Sequence, residues 1–306
     1  MNFKSKILMG ILEPTYGDGM AGVDAVSANA LPMQNVSIKA LEGELVGREL
    51  VSHDLGNDKQ YLVGKHVSIE GELPFFASGD LGVAPPTSLL HRIAGLSEVI
   101  TAATSVEYQF VNDDFESAAM WFMQNSVAHK LKGVRGNLAL TVKAGAFPVM
   151  KVNLMGLYDG IATETPPNVD WSALADPIEV SVDKTPTFTL HGQALVMDNL
   201  EIDFGNAVNY RNKVNYEAVS ITDRSLTGKT DVDAVDLGTK NYYSSVINGE
   251  AGPLVLTHGT EAGSIIEITH DLVQIQPFEY QDLEGETAWS MPLRFLKGGN
   301  FKITYK

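Results

Sequence analysis

The chain of 306 residues has no cysteine, which excludes a disulfide framework, a thiolate metal site and a thiol nucleophile. Basic residues are scarce: 22 Lys and Arg face 38 Asp and Glu, for a formal net charge of −16. Such a surface lacks the clustered cations that hold a phosphate backbone, which argues against nucleic-acid binding. On its own, the acidity also serves simply to keep a chain soluble. Long apolar runs are missing too, none approaching the ~20 residues of a membrane-spanning helix. Ile7 to Leu12, behind Lys4 and Lys6, imitates a signal peptide, and Ala28-Asn29-Ala30 imitates its cleavage site. The run ends at Glu13-Pro14, shorter than an export signal requires. The reading is a soluble, unsecreted protein with no membrane partner, suited to a reducing cytoplasm.

Signatures of chemistry are equally sparse. Thr227-Gly228-Lys229-Thr230 resembles the end of a phosphate-binding loop, but position 223, where the motif needs glycine, is Asp223, so a hairpin turn is expected. Asp231, Asp233 and Asp236 lack the central glycine and closing glutamate of a calcium loop. Strand alternation puts Asp231 and Asp233 on one solvated face instead. Asn112-Asp113-Asp114 with Glu116 reads as a solvated turn. The histidines, at 53, 66, 91, 129, 191, 258 and 270, form no short pair at ligand spacing, and no Gly-x-Ser-x-Gly elbow occurs. Distant carboxylate pairs of the glycosidase type remain compatible with any such sequence. The expectation is a non-enzyme with no catalytic, cofactor-binding or metal-binding residues.

What is present is an ordinary folded composition, 44% hydrophobic and 20% charged, at a length that suggests about two domains. Residues 1–35, rich in Gly and Pro, read as an extended arm. Val67 to Leu73, Leu138 to Lys143 and Val149 to Leu157 alternate at period two, as half-buried strands do. Thr87 heads a helix with Leu89, Leu90, Ile93 and Leu96 on one face, and a weaker helix spans Lys240 to Ile247, ended by Asn248-Gly249. Residues 163–178, with Pro166-Pro167 and Pro177, read as a connector. After it, strand-like segments dominate again. The landmarks run twice in one order: Arg48 to Gly64-Lys65 and Arg211 to Gly228-Lys229, then a helix, then a glycine turn (Gly145, Gly285) feeding a long strand. One module used twice is the reading, spanning 36–162 and 179–306.

Ile11-Leu12-Glu13-Pro14-Thr15-Tyr16-Gly17, Arg48-Glu49-Leu50, Leu131-Lys132-Gly133-Val134-Arg135-Gly136, Asn209-Tyr210-Arg211, Ile221-Thr222-Asp223-Arg224 and Pro292-Leu293-Arg294-Phe295-Leu296 together resemble the major tail tube proteins of long-tailed, non-contractile bacteriophages. The resemblance implies a mainly β fold, here two tandem β-sandwich/barrel modules, each with a short flanking helix. It implies self-assembly into stacked rings around a channel for double-stranded DNA, built in the host cytoplasm and resident in the virion tail. Tape measure, tail terminator and distal tail proteins are the implied partners. With two modules per chain, a trimer would complete a pseudo-hexameric ring. The alternative is a secreted or surface β-sandwich binding or adhesion protein. The inner tube of a contractile tail is a near neighbour within the same resemblance.

Two sets of residues follow. If Val67 to Leu73 and its second-half counterpart line the channel, Glu70, Glu72, Asp231 and Asp233 face the lumen, where repulsion keeps DNA moving. The stretches 47–63 and 205–227, too long for tight hairpins, carry Arg48, Asp54, Asp58, Arg211, Tyr216 and Arg224 as candidate contacts between rings.

Overall fold

The computed structural model describes residues 5–19, 29–48, 50–51, 53, 55–172 and 174–306. The first half holds β1 (Lys6–Leu12), β2 (Ala30–Leu31), β3 (Gln34–Gly47), β4 (Gln60–Pro74), α1 (Ser88–Ile93), β5 (Leu96–Thr101), β6 (Ser105–Phe110), β7 (Ala118–Gln124), β8 (Val127–Lys143) and β9 (Val149–Thr163). The second holds β10 (Thr187–Leu190), β11 (Gln193–Ala194), β12 (Met197–Asp203), β13 (Asn206–Lys213), β14 (Tyr216–Arg224), β15 (Thr227–Asp233) and α2 (Tyr242–Asn248). It ends with β16 (Ala251–His258), β17 (Ile266–Ile275), β18 (Glu279–Leu283), β19 (Glu286–Phe295) and β20 (Lys302–Tyr305). The protein is mainly β, as the alternating segments require, with two short helices among the described residues.

Antiparallel pairing runs β3-β4-β9-β8-β12-β15-β19-β18, a long sheet that crosses from one half to the other at β8–β12. Within each half the pairings follow one order. The first pairs β1–β2, β1–β7, β7–β8, β8–β9, β9–β4 and β4–β3. The second pairs β10–β11, β10–β16, β16–β17, β17–β19, β19–β15 and β15–β12. Hairpin β5–β6 is extra in the first half and β20 in the second; β18 pairs with the start of β19 as the distal part of β8 pairs with the start of β9, and β13–β14 is a separate hairpin where β3 and β4 run on unbroken. A second crossing, β6–β20, joins the halves again. One buried cluster runs through both, with Phe110 meeting Phe204 and Phe301 at ring distances of 5.0 Å, contacts worth about 0.5–1.5 kcal/mol each beyond their area.

Several expectations are corrected. The arm of residues 1–35 contains β1, whose Leu8 enters the main core while Met9 packs with Trp121 and Met123 on the other side. The Thr227-Gly228-Lys229-Thr230 turn is the opening of β15, with Gly228 beneath the Phe295 ring. The stretch 205–227 is largely the hairpin β13–β14, a sheet of its own. The Gly-Lys landmarks are not equivalent in conformation. Gly64, at φ 63°, lies in a register shift of β3–β4 and faces Tyr210, whereas Gly228 faces the core. Helix α1 stops at Ile93, leaving Leu96 to β5, and Thr87 makes no side-chain capping bond. In α2, Asn241 Oδ1 accepts from Ser244 N at 3.0 Å, and Gly249, at φ 65°, closes the helix as expected of a left-handed cap.

Candidate functional site: one polar sheet face, two free edges and a hairpin arm

Because side chains alternate along a strand, register fixes which residues share a face of the long sheet. Ile69, Leu154, Leu140, Ile202, Thr230 and Met291 belong to the inner, buried face. On the opposite face, Glu70 stands beside Asn153 and Glu72 beside Lys151. Farther across, Glu201 lies between Thr141 and Lys229, and Asp203 between Ala139 and Thr227. Asp231 adjoins Asn199 and Ser290, and Asp233 adjoins Ala288. The four expected carboxylates therefore share one side of the long sheet across both halves.

Their exposure differs. Glu70 is open to solvent, while Glu72 is half-buried and hydrogen-bonded by Asn35. Asp231 is only 9% exposed and pairs with Lys229 at 3.3 Å, which corrects the solvated reading of that strand. Asp233 is half-buried. Sequence reasoning passed over Glu201 and Asp203 on this face, and also Lys143, Lys151, Lys229 and Arg294. The face is acidic with interleaved cations. Alternation within β12 and β9 carried that signal, and only the register shows which strands adjoin.

The long sheet ends in two edges. Among the described residues, β3 pairs only with β4 and β18 only with β19. The inner edge between the halves is already closed by Asn199–Asp203 of β12 against Ala139–Lys143 of β8.

The candidate ring contacts separate into tip and root. Arg211 lies 5.7 Å over the Tyr216 ring near the exposed tip of β13–β14. Arg48 follows β3, and Asp58 accepts from Leu50 N at 2.8 Å across the β3–β4 loop. Asp54 lies outside the described residues. Arg224 is no loop residue: it donates to Asn206 Oδ1 (2.9 Å), Val111 O (3.2 Å) and Gly95 O (3.3 Å) and stacks on Phe110 at 4.0 Å. Burial pulls its guanidinium down to about 10. It lines a cleft of about 530 Å³ at the seam of the halves, with Phe115, Phe295 and Lys297.

A second anchor was missed in sequence. The Glu13 carboxylate accepts from Gly17 N (3.1 Å), Gly19 N (3.0 Å), Gly133 N (3.0 Å) and Ser117 Oγ (2.6 Å). That nest fixes Tyr16, whose hydroxyl accepts from Val219 N at 2.6 Å. Arg135, 4.7 Å over the Tyr16 ring, donates to Val219 O at 3.1 Å, and burial lowers its pKa. His91, His258 and His270 are buried within the fold. His91 is fully buried, 2.9 Å from Thr87 O and 3.2 Å from the Tyr305 hydroxyl, and burial lowers it to about 4. Among the described residues no three His, Asp or Glu gather as metal ligands, and no helix is long and apolar enough to cross a membrane.

A β protein with a polar sheet face and open sheet edges has the features of a structural, assembling protein. The family model described as phage tail tube protein matches residues 4–292, and the chain belongs to that family. No curated protein matches the chain. It is therefore a structural tail tube protein of a phage virion, from a family not known for enzymatic activity.

Proposed function

We propose that three chains close a pseudo-hexameric ring, that rings stack into a tube, and that double-stranded DNA passes through its channel during delivery into the host bacterium. One observation carries the reading: the joint a ring needs already exists inside the chain. The distal part of β8 pairs with the start of β9 on one side and with β12 on the other. In the second half β18 pairs with the start of β19, and its other edge is free. The matched pairing order makes β3 the counterpart of β12, and β3 has a free edge too. Pairing β18 of one copy with β3 of the next repeats β8–β12 and gives a barrel of 3 × 8 = 24 strands. It also removes two edges that would be a liability in isolation.

The polar face then lines the channel. Three chains carry 3 × −16 = −48 formal charges, and Glu70 and Glu201 present open carboxylates on that face. Interleaved lysines temper the field without gathering into a phosphate-binding cluster. The tips at 48–59 and around Arg211 and Tyr216 reach the adjacent ring. Tape measure, terminator and distal tail proteins meet the tube within the tail, and assembly takes place in the host cytoplasm. Electron microscopy of the purified chain tests this: tubes with threefold rings are expected. Rings of six chains, or a chain that stays monomeric at high concentration, would overturn it. Deleting residues 52–60 is expected to leave rings that do not stack.

A further inference from the structure

The two halves treat their hairpin arms differently. Arm β13–β14 leaves between β12 and β15 and lies on the first half of its own chain. Val219 is fully buried, with Ala218 and Ile221 beside it, and Tyr16 and Arg135 grip its backbone. Tyr210 stacks on His66 at 4.6 Å. At the root, Asn206 Nδ2 donates to Ala94 O (2.7 Å) and Gly136 O (3.1 Å) while Arg224 reaches Gly95 O, so the arm's base closes over the end of α1.

The corresponding arm of the first half, the distal part of β3–β4 between Leu41 and Val63, is bare over its described residues. Leu45 is 60% exposed and Tyr61 50%, with Leu41, Val46 and Val63 also open. Apolar side chains concentrated on one protruding ribbon mark a surface that is covered in use. The end of α2, which follows β15 as α1 follows β4, is bare as well: Ile247 is 83% exposed, and the chain turns at Gly249 as it does at Gly95 after α1.

We propose that the β3–β4 arm of one copy lies on the second half of an adjacent copy, its apolar side chains covering the end of α2 around Ile247, as β13–β14 covers the end of α1 within the chain. This rests on the ring reading, because only a neighbour joined through β18 and β3 brings the end of α2 beside the arm. The occupant is a second copy of this chain. In the pairing order, β3–β4 stands to a neighbour's β18 and α2 as β12, its arm and β15 stand to β8 and α1. The contact is lateral, within one ring, and leaves the tip at 48–59 free to meet the next ring.

The absence of native cysteine makes the test direct. A chain carrying both Tyr61→Cys and Ile247→Cys, treated with a short bismaleimide under assembling conditions, is expected to give linked species of two and three chains on a denaturing gel. Each single variant is expected to remain one chain long. Hydrogen exchange on wild-type tubes gives a second readout, with slowing expected at residues 60–63 and 245–249 relative to the disassembled chain. Threefold tubes without linked chains and without that slowing would overturn the arm's placement while leaving the ring intact. A chain that neither assembles nor cross-links would overturn both.

Discussion

Acidification is expected to loosen this fold chiefly through His91. Its ring is fully buried, stacked 4.6 Å from Tyr108, with Nδ1 facing Thr87 O and Nε2 facing the Tyr305 hydroxyl. That pattern assigns the proton to Nδ1 and leaves Nε2 to accept. Burial lowers its pKa from 6.5 to about 4, whereas in the unfolded chain it titrates near 6.5. Protons therefore bind the unfolded state first, so stability is complete above 6.5 and is lost as pH falls from there toward 4. Linkage gives a loss of about 2 kcal/mol between pH 7.5 and pH 5, approaching about 3 kcal/mol below pH 4. His191, His258 and His270, also lowered by burial, add in the same direction. Urea unfolding of the disassembled chain measures the loss. His91→Gln should be less stable at pH 7.5, yet lose about 2 kcal/mol less than wild type on going to pH 5. A variant that keeps the full wild-type loss, or a His91 Cε1–H resonance titrating near 6.5, would refute the reasoning.

Glu13→Gln puts an amide donor into a nest of N–H and O–H donors and should cost about 2–3 kcal/mol by urea unfolding, with faster proteolysis of 13–19; an unchanged midpoint would remove Glu13 as the anchor. Gly228→Ala places a methyl 2.6 Å from Glu201 O and 3.0 Å from the Phe295 ring, so a cost of about 1–3 kcal/mol is expected in thermal unfolding. An unaltered melting temperature would show that Phe295 moves freely. Glu70→Lys combined with Asp233→Lys should slow DNA ejection while sparing tube assembly, and normal ejection at low salt would count against a channel-facing sheet.

The strands most legible in sequence are those with one wet face. Val67, Ile69 and Leu73 point inward and Glu70 outward, so period two is clean. Strands β1 and β7 are buried on both faces, so Ile7–Leu12 and Ala118–Met123 are continuous apolar runs without a period, and the former imitates a leader. In β15 a polar alternation conceals burial. Thr230 donates to Asn199 O inside the fold, and the Asp231 carboxylate is covered by neighbouring strands and Lys229. The hairpin β13–β14 was illegible because its buried apolar set is only Ala218, Val219 and Ile221, docked on a bed supplied by residues some 200 positions away in the case of Tyr16, whose separation from Val219 is 203. The polar face could be listed strand by strand, but which carboxylate neighbours which lysine is a matter of register, set by contacts that no local window contains.

The seam between β8 and β12 is made by one polypeptide, and that has a consequence for counting. In the proposed ring each chain would supply two units, so the number of units would be even whatever the diameter. Errors of one unit, five or seven in place of six, are closed to it. The nearest miscounts are four and eight, which change the curvature at every seam far more than a single unit would. Half of the seams of that proposed ring would also form at the effective concentration of a tethered neighbour, as β8–β12 does, and would not dilute. Under the ring proposal, accuracy of the bore would thus be written partly into chain connectivity, before any two copies meet.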